Sequence, residues 1–246
     1  RGAALGAAVY GVLLVLLLVR LAERPLFGFD RPLSPHITRA VCRAAFPILG
    51  MRYSVRGRPM RHRGAVVSNH VSWLDIFALN ACQTAYFVAK SEVARWPVIG
   101  WLARATGTAF IARDPRAAKA QQALFENRIR AGHKLLFFPE GTSTDGQRVL
   151  PFKPTLFQGF LDPALPEDLA VQPMSAHYHA PKGRDPRFYG WWGDMDLGPH
   201  LLAVLAQYPQ GSVTVRLHDP VPVAGETRKT LSAATEAAIR RGFQTD

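Results

Sequence analysis

The chain has 246 residues, 48% of them hydrophobic and 20% charged, a composition that excludes low-complexity disorder and fits one sizeable α/β or barrel domain or two small ones. Thirty Lys and Arg against 18 Asp and Glu leave a net charge of +12, which asks for an acidic partner: nucleic acid, anionic lipid or a phosphorylated substrate. Cys42 and Cys82 stand far apart with no C-x-x-C, which argues against a zinc site or a disulfide framework and points to a reducing compartment.

The chain starts at Arg1 and not at Met, so residues are expected ahead of it. Residues 2–19 carry no charge and are apolar all round, without the polar stripe of a soluble surface helix. A helix of about 18 residues reaches about 27 Å, close to the hydrocarbon thickness of a bilayer. A cleaved signal peptide is the main rival, but Arg20 and Arg24 stand where its cleavage site would fall. The first 64 residues hold 11 Arg and only two acids, Glu23 and Asp30. That block follows the apolar segment, so the positive-inside rule places the bulk of the protein in the cytoplasm, against an anionic membrane surface. Nucleic acid is not expected, because no recognition motif accompanies these arginines. Within the block, Ile37, Val41, Ala44, Ala45, Ile48 and Leu49 recur at helical spacing. Residues 35–50 therefore read as an amphipathic helix lying on the membrane, with packing on the globular domain as the alternative. The resulting division is 1–63 for membrane-anchoring helices and basic segment, and 64–246 for a single catalytic domain.

From Gly64 onward short apolar runs alternate with helical patterns. Strands are predicted at 65–68, 85–89, 108–111, 135–138, 170–176 and 213–217, and helices at 73–80, 97–105, 115–130, 199–206 and 228–243. Each strand is short enough to be buried on both faces, and the alternation predicts an α/β fold with a mixed, largely parallel sheet flanked by helices.

Three stretches could carry chemistry. In the first, His70 and Asp75 flank a strand-to-helix turn. A neutral histidine is a natural general base near neutral pH, and a carboxylate on its other ring nitrogen fixes the tautomer. On a continuous helix the two side chains would lie about 140° apart, so they meet only if His70 sits in the loop and Asp75 points back from the first turn. Ser72-x-x-Asp75 is equally an acidic variant of the capping box, which needs no catalysis. In the second, a buried strand ends at Pro139 and is followed by Glu140, Gly141, Thr142 and Ser143, where open α/β sheets place their ligands; a plain polar turn is the alternative. The third is a strand leading to Arg113, whose guanidinium suits phosphate or carboxylate, unless it simply pairs with Asp114.

In this order the three stretches make the chain resemble the 1-acyl-sn-glycerol-3-phosphate acyltransferase family. The family's His-x-x-x-x-Asp motif is met by His70 and Asp75, its Phe-Pro-Glu-Gly-Thr by 138–142, its second motif by 107–113 and its Pro-containing fourth by 171–174. The resemblance implies that His70 deprotonates the hydroxyl of an acceptor lipid, which attacks the thioester of acyl carrier protein or coenzyme A, while Asp75 orients the imidazole. It gives Arg113, Glu140, Gly141 and Thr142 the acceptor head group, with Ser143 beside them and Lys153 adding a positive charge. No cofactor beyond the thioester co-substrate and no metal is implied, and the location implied is the bacterial inner membrane. Ser143 stands where members acting on lysophosphatidic acid usually carry arginine. Residues 141–146, together with 189–195, look like the branch that acylates lyso-ornithine lipid, a zwitterionic acceptor without phosphate, some members of which act on both acceptors. A hydrolase using the same histidine, or a non-catalytic lipid-binding protein, are the rival classes. His177 and His179 share one face of a strand but have no evident third ligand, so a polar strand end is preferred over a metal.

Overall fold

A computed structural model describes residues 2–28, 30–112, 114, 116 and 118–244. The uncharged segment forms one helix, α1 (Gly2–Phe27), long and apolar enough to cross a membrane by length and composition. Most of its surface is exposed, but Leu5 and Leu16 pack inward. Near its end Glu23 is buried and accepts the backbone N–H groups of Leu33 and Ser34 at 2.7 and 3.0 Å, with Arg20 at 2.9 Å. These are the free donors at the start of the next helix, α2 (Ser34–Leu49), so one carboxylate ties the two helices together.

The second helix is amphipathic as expected, and one side of it is buried against the rest of the molecule. Cys42, Ala45, Phe46 and Leu49 belong to the main hydrophobic core. The alternative reading of 35–50 therefore holds for this face: Ala45 and Leu49 of the stripe, with Cys42 and Phe46, pack on the globular domain, while Ala44 stays exposed. The helix stops at Gly50, whose φ of 75° lets its N–H reach Pro47 O while Met51 N–H reaches Phe46 O.

The boundary expected at residue 63 also moves. Arg52–Arg56 is strand β1, paired in parallel with a strand from the far end of the chain. The sequence reading absorbed it into the basic block because arginines occupy its two ends. Tyr53 holds it down, stacking on Phe46 at 4.4 Å and donating its hydroxyl to Ala78 O at 2.8 Å.

The remaining elements are β2 (Gly64–Ser68), α3 (Asp75–Cys82), β3 (Tyr86–Lys90), α4 (Ile99–Thr106), β4 (Ala109–Ile111), α5 (Ala118–Arg130), β5 (Lys134–Phe137), β6 (Ala170–His179), α6 (Leu197–Ala206), β7 (Ser212–Leu217), β8 (Val221–Pro222) and α7 (Arg228–Gln244). Their sheet runs β1-β7-β6-β2-β5-β3-β4, with β8 also on β6. It is mixed and mostly parallel: β6 runs antiparallel to β7 and β8, and the other pairs are parallel. All five residues of β2 are buried. Val66, Leu136 and Met174 face the core beneath α2 and α3, while Val67, Leu135 and Val171 face a second core under α7. Side chains such as Leu135 and Leu136, fully buried, each stabilise the fold by about 1.5–3 kcal/mol. The two central parallel strands, β2 and β5, end side by side, Val67 opposite Phe137. The loops that follow them therefore meet at the carboxyl edge of the sheet, which is where ligand sites form in open α/β sheets.

Candidate active site

Two residues beyond β2 the chain turns at His70, and α3 begins at Asp75. Asp75 is fully buried and points back across the turn. Its Oδ2 meets His70 Nδ1 at 2.7 Å and accepts the N–H groups of Val71 and Ser72 at 2.7 and 3.0 Å. Tyr178, from β6, donates its hydroxyl to Oδ1 at 2.7 Å. The capping and catalytic readings of this carboxylate prove compatible: one oxygen closes the turn and holds the imidazole at once. Ser72 Oγ, by contrast, is buried without a hydrogen bond.

The imidazole is fixed on every side except one. Its ring stacks on Phe138 with centroids 3.9 Å apart and planes 10° from parallel. Its backbone N–H donates to Glu140 Oε1 at 2.7 Å, and its carbonyl accepts Thr144 N–H at 2.9 Å. Asn69 pins the preceding residue, exchanging two hydrogen bonds of 2.8 and 2.9 Å with the backbone of Ala176. With Nδ1 on Asp75, Nε2 is the nitrogen left for chemistry, on a side chain 21% exposed.

Glu140 lies under this arrangement and does not face solvent. It is 1% exposed, and its second oxygen accepts Leu150 N–H at 2.6 Å. Burial pushes its carboxyl up to about 7, against the downward pull of the two backbone donors. Gly141 has a φ of +75°, and a side chain there would collide with Lys153 Nζ. The glycine thus brings that ammonium over the turn, 2.7 Å from where a Cβ would stand. Thr142 is exposed and Ser143 half-buried on the same turn. The structure accordingly gathers His70, Asp75, Glu140, Gly141, Thr142, Ser143 and Lys153 at one edge of the sheet. Arg113 lies outside the described residues.

The two stretches that mark the branch also converge here. Trp191 N–H donates to Val71 O at 2.9 Å, and Gln147 Nε2 donates to Pro186 O at 3.2 Å. Gly190 packs so closely on Asp145 that a Cβ would sit 2.8 Å from its carbonyl oxygen. Trp191 also meets Trp96 edge to face at 6.4 Å.

Tyr178 completes the site and was not singled out by sequence, whereas Phe138 and Thr144 lay in the quoted motif stretches without the roles they take here. Tyr178 lies two residues past the predicted end of its strand, although the period-two alternation of 170–176 carries on to it. No side-chain hydroxyl or thiol among the described residues hydrogen-bonds the His70 ring. Burial pushes the Cys42 thiol up to about 12 and that of Cys82 to about 11, so neither is a poised thiolate. His177 stacks between His179 and Phe243 at 4.6 and 4.8 Å. Among the described residues no group of three His, Cys, Asp or Glu could hold a metal. What the site offers is a single oriented base beside an oxygen-rich, positively charged turn.

The family model described as Acyltransferase matches residues 52–176, from β1 through most of β6. The chain belongs to the acyltransferase family. A lyso-ornithine lipid O-acyltransferase of Rhodobacter capsulatus is 60% identical over 99% of this chain and 88% of its own length. A protein of the same description from Brucella abortus is 38% identical over 88% of this chain and 84% of its own. The 1-acyl-sn-glycerol-3-phosphate acyltransferase of Neisseria gonorrhoeae is 41% identical, but over 44% of this chain and 43% of its own. The crystal structure of the 1-acyl-sn-glycerophosphate acyltransferase PlsC from Thermotoga maritima shares the fold, with a TM-score of 0.64 at 22% identity, covering 100% of this chain and 95% of that one. The acyltransferase match spans the turn carrying His70 and Asp75 and the one carrying Glu140 to Ser143. It begins at β1, consistent with the edge strand being part of the catalytic fold.

Proposed function

We propose that this acyltransferase moves a fatty acyl chain from acyl carrier protein or coenzyme A to the free hydroxyl of lyso-ornithine lipid. The observation that carries the chemistry is the 2.7 Å pairing of His70 Nδ1 with buried Asp75, which presents Nε2 as the base. The acceptor hydroxyl gives its proton to Nε2 as its oxygen attacks the thioester carbonyl. When the C–S bond breaks, the imidazolium returns that proton to the departing thiolate, leaving an ester and a free thiol. Asp75 stabilises the imidazolium in between. A positioned base of this kind contributes about 10²–10⁴-fold.

Glu140 acts on this step through the backbone, holding the His70 and Leu150 loops together. Lys153, Thr142 and Ser143 face the acceptor head group. The choice of acceptor rests on the 60% identical relative and on Ser143, because without a guanidinium at that turn a dianionic phosphate has less to bind.

Membrane association follows from α1, whose Leu14, Leu18 and Leu21 are exposed. Leu5 joins the domain core near one end of α1 and Glu23 holds α2 near the other, so the helix lies along the domain and not away from it. This supports an apolar helix, long enough to span a bilayer, that meets the membrane along its exposed side. The cytoplasmic face of the inner membrane is the side on which thioester donors are available.

The test is a competition: membranes containing the protein, labelled acyl carrier protein, and equal lyso-ornithine lipid and lysophosphatidic acid. Acylated ornithine lipid should dominate, and His70→Ala should abolish it. Dominant phosphatidic acid would overturn the acceptor assignment; free fatty acid formed without acceptor would favour a hydrolase.

A further inference from the structure

At the opposite end of the sheet from His70, a cavity of about 180 Å³ opens where the chain leaves α1 and enters α2. Its polar lining comes from Arg31, His36, Thr84, Tyr86, His133 and Lys134, and among the described residues no carboxylate contributes. Lys134 begins β5 and the acceptor turn follows its end at Phe137, so at about 3.3 Å per residue the strand alone sets the two sites roughly 10 Å apart.

Positive charge is concentrated here, with Arg31 and Lys134 in the cavity lining. Arg31 and Arg128 flank the Tyr86 ring at 5.7 and 5.0 Å. Arg31 donates to Ala105 O at 3.3 Å and Arg128 to Gly107 O at 3.1 Å. The carboxylate that acts on Arg31 is Glu23, already bonded to Arg20, Leu33 and Ser34. Burial, reinforced by Arg20 and Arg128, lowers the Arg31 guanidinium to about 10. Burial and the neighbouring arginines likewise lower His133 to about 4. His133 Nδ1 faces Arg128 at 3.3 Å and must accept, because a guanidinium has no acceptor. The neutral ring therefore carries its proton on Nε2. Buried charge of one sign ordinarily comes with a counter-charge, and here the fold supplies a cavity where one would sit. Pro32 and Pro35 form an apolar part of the cavity wall, and near them in the chain Leu26, Phe27 and Leu33 are 73%, 50% and 58% exposed.

We propose that this cavity binds the phosphate of an anionic phospholipid, with Arg31 and Lys134 as its cationic contacts and the acyl chains running onto the rim beside α1. The site is separate from the acceptor turn, and the proposal does not depend on which acceptor the enzyme uses. An anionic bilayer would thereby fix the domain's orientation at the base of α1 through a stoichiometric lipid as well as through its general surface charge.

The full-length protein, purified in detergent and exposed to phosphatidylglycerol or phosphatidylcholine, would be examined by native mass spectrometry. A parallel melting series would use inorganic phosphate at constant ionic strength. The expected result is one retained phosphatidylglycerol per chain, at least tenfold less in Arg31→Gln and in Lys134→Gln, and unchanged in His70→Ala. Should Arg31→Gln fail to fold, Lys134→Gln decides, since it leaves the β5 backbone ladder intact. Equal retention of both lipids by the wild type, full retention by folded Lys134→Gln, or loss in His70→Ala would overturn the proposal. Stabilisation by phosphate without lipid retention would also overturn it, leaving a free-anion site.

Discussion

Asp75 concentrates four hydrogen-bond donors on one buried carboxylate, and each has a different job. Val71 and Ser72 N–H groups shape the turn, His70 Nδ1 is the group being oriented, and Tyr178 holds the oxygen that the turn leaves over. Removing only the last should loosen the imidazole without emptying the site. A hydrogen bond to a charged group contributes about 1.5–3 kcal/mol. Tyr178→Phe is therefore expected to lower kcat roughly ten- to a hundredfold with little change in acceptor KM; an equal loss in both would contradict a positioning role. Glu140 gives a pH prediction. Its carboxyl is raised from the usual 4.5 to about 7, so the folded state holds a proton that the unfolded state has released between those values. The stability this contributes is complete below about 4.5 and is lost as pH rises through about 7. The melting temperature of the wild type should fall over that window more steeply than that of Glu140→Gln, and parallel curves would refute it. At the neighbouring turn, Ser143→Arg should shift acceptor preference toward lysophosphatidic acid in the competition assay. The pair His70 and Asp75 was legible in sequence because both sit within one turn. Tyr178 was not, because its bond to Asp75 spans 103 residues.

Among the elements, the six predicted strands from 65 to 217 all exist, because each reads as a short apolar run bounded by turns, although β3 and β4 are buried only in part. The two unforeseen strands lie away from that pattern: β8 has two residues, and β1 is a largely exposed edge strand. Arg52 and Arg56 on β1 are exposed, which also discourages another strand from pairing with the open edge. For α2, a periodic apolar face looks the same whether it meets lipid or protein, and only the packing of Phe46 and Leu49 decides. The carboxylate that joins α1 to α2 was counted in sequence merely as one of two acids in a basic block. Glu23→Ala leaves the Leu33 and Ser34 N–H groups without their acceptor, a loss of about 1–2 kcal/mol by analogy with helix caps. At about 2–4 °C per kcal/mol for a chain of this size, melting should drop by roughly 2–8 °C in detergent. Glu23→Gln should recover part of that drop, because an amide oxygen still accepts.

For the whole molecule, the charge of the first 64 residues divides among tasks that the linear sequence does not separate. Arg20 pairs with Glu23, Arg31 lines the cavity, Arg39 donates to Ala81 O, and Arg52 and Arg56 guard the sheet edge. The apolar surface is similarly selective. Trp101 of α4 and Leu202 of α6 are 65% and 67% exposed, and both helices pack against α1. Leu156, 40% exposed, lies instead in the short 3₁₀ segment Pro154–Phe160, which packs with α7 beneath the other face of the sheet. If the bilayer meets the molecule along α1, the contact should extend to α4 and α6 and should not reach Leu156. Trp101→Glu and Leu202→Glu are thus expected to lower flotation with phosphatidylglycerol vesicles, while changing stability by no more than about 0.5 kcal/mol, as exposed substitutions generally do. Leu156→Glu should float as the wild type does. Equal losses from all three would mean that the vesicles sense overall charge and not a face, and the orientation inferred from α1 would then be wrong.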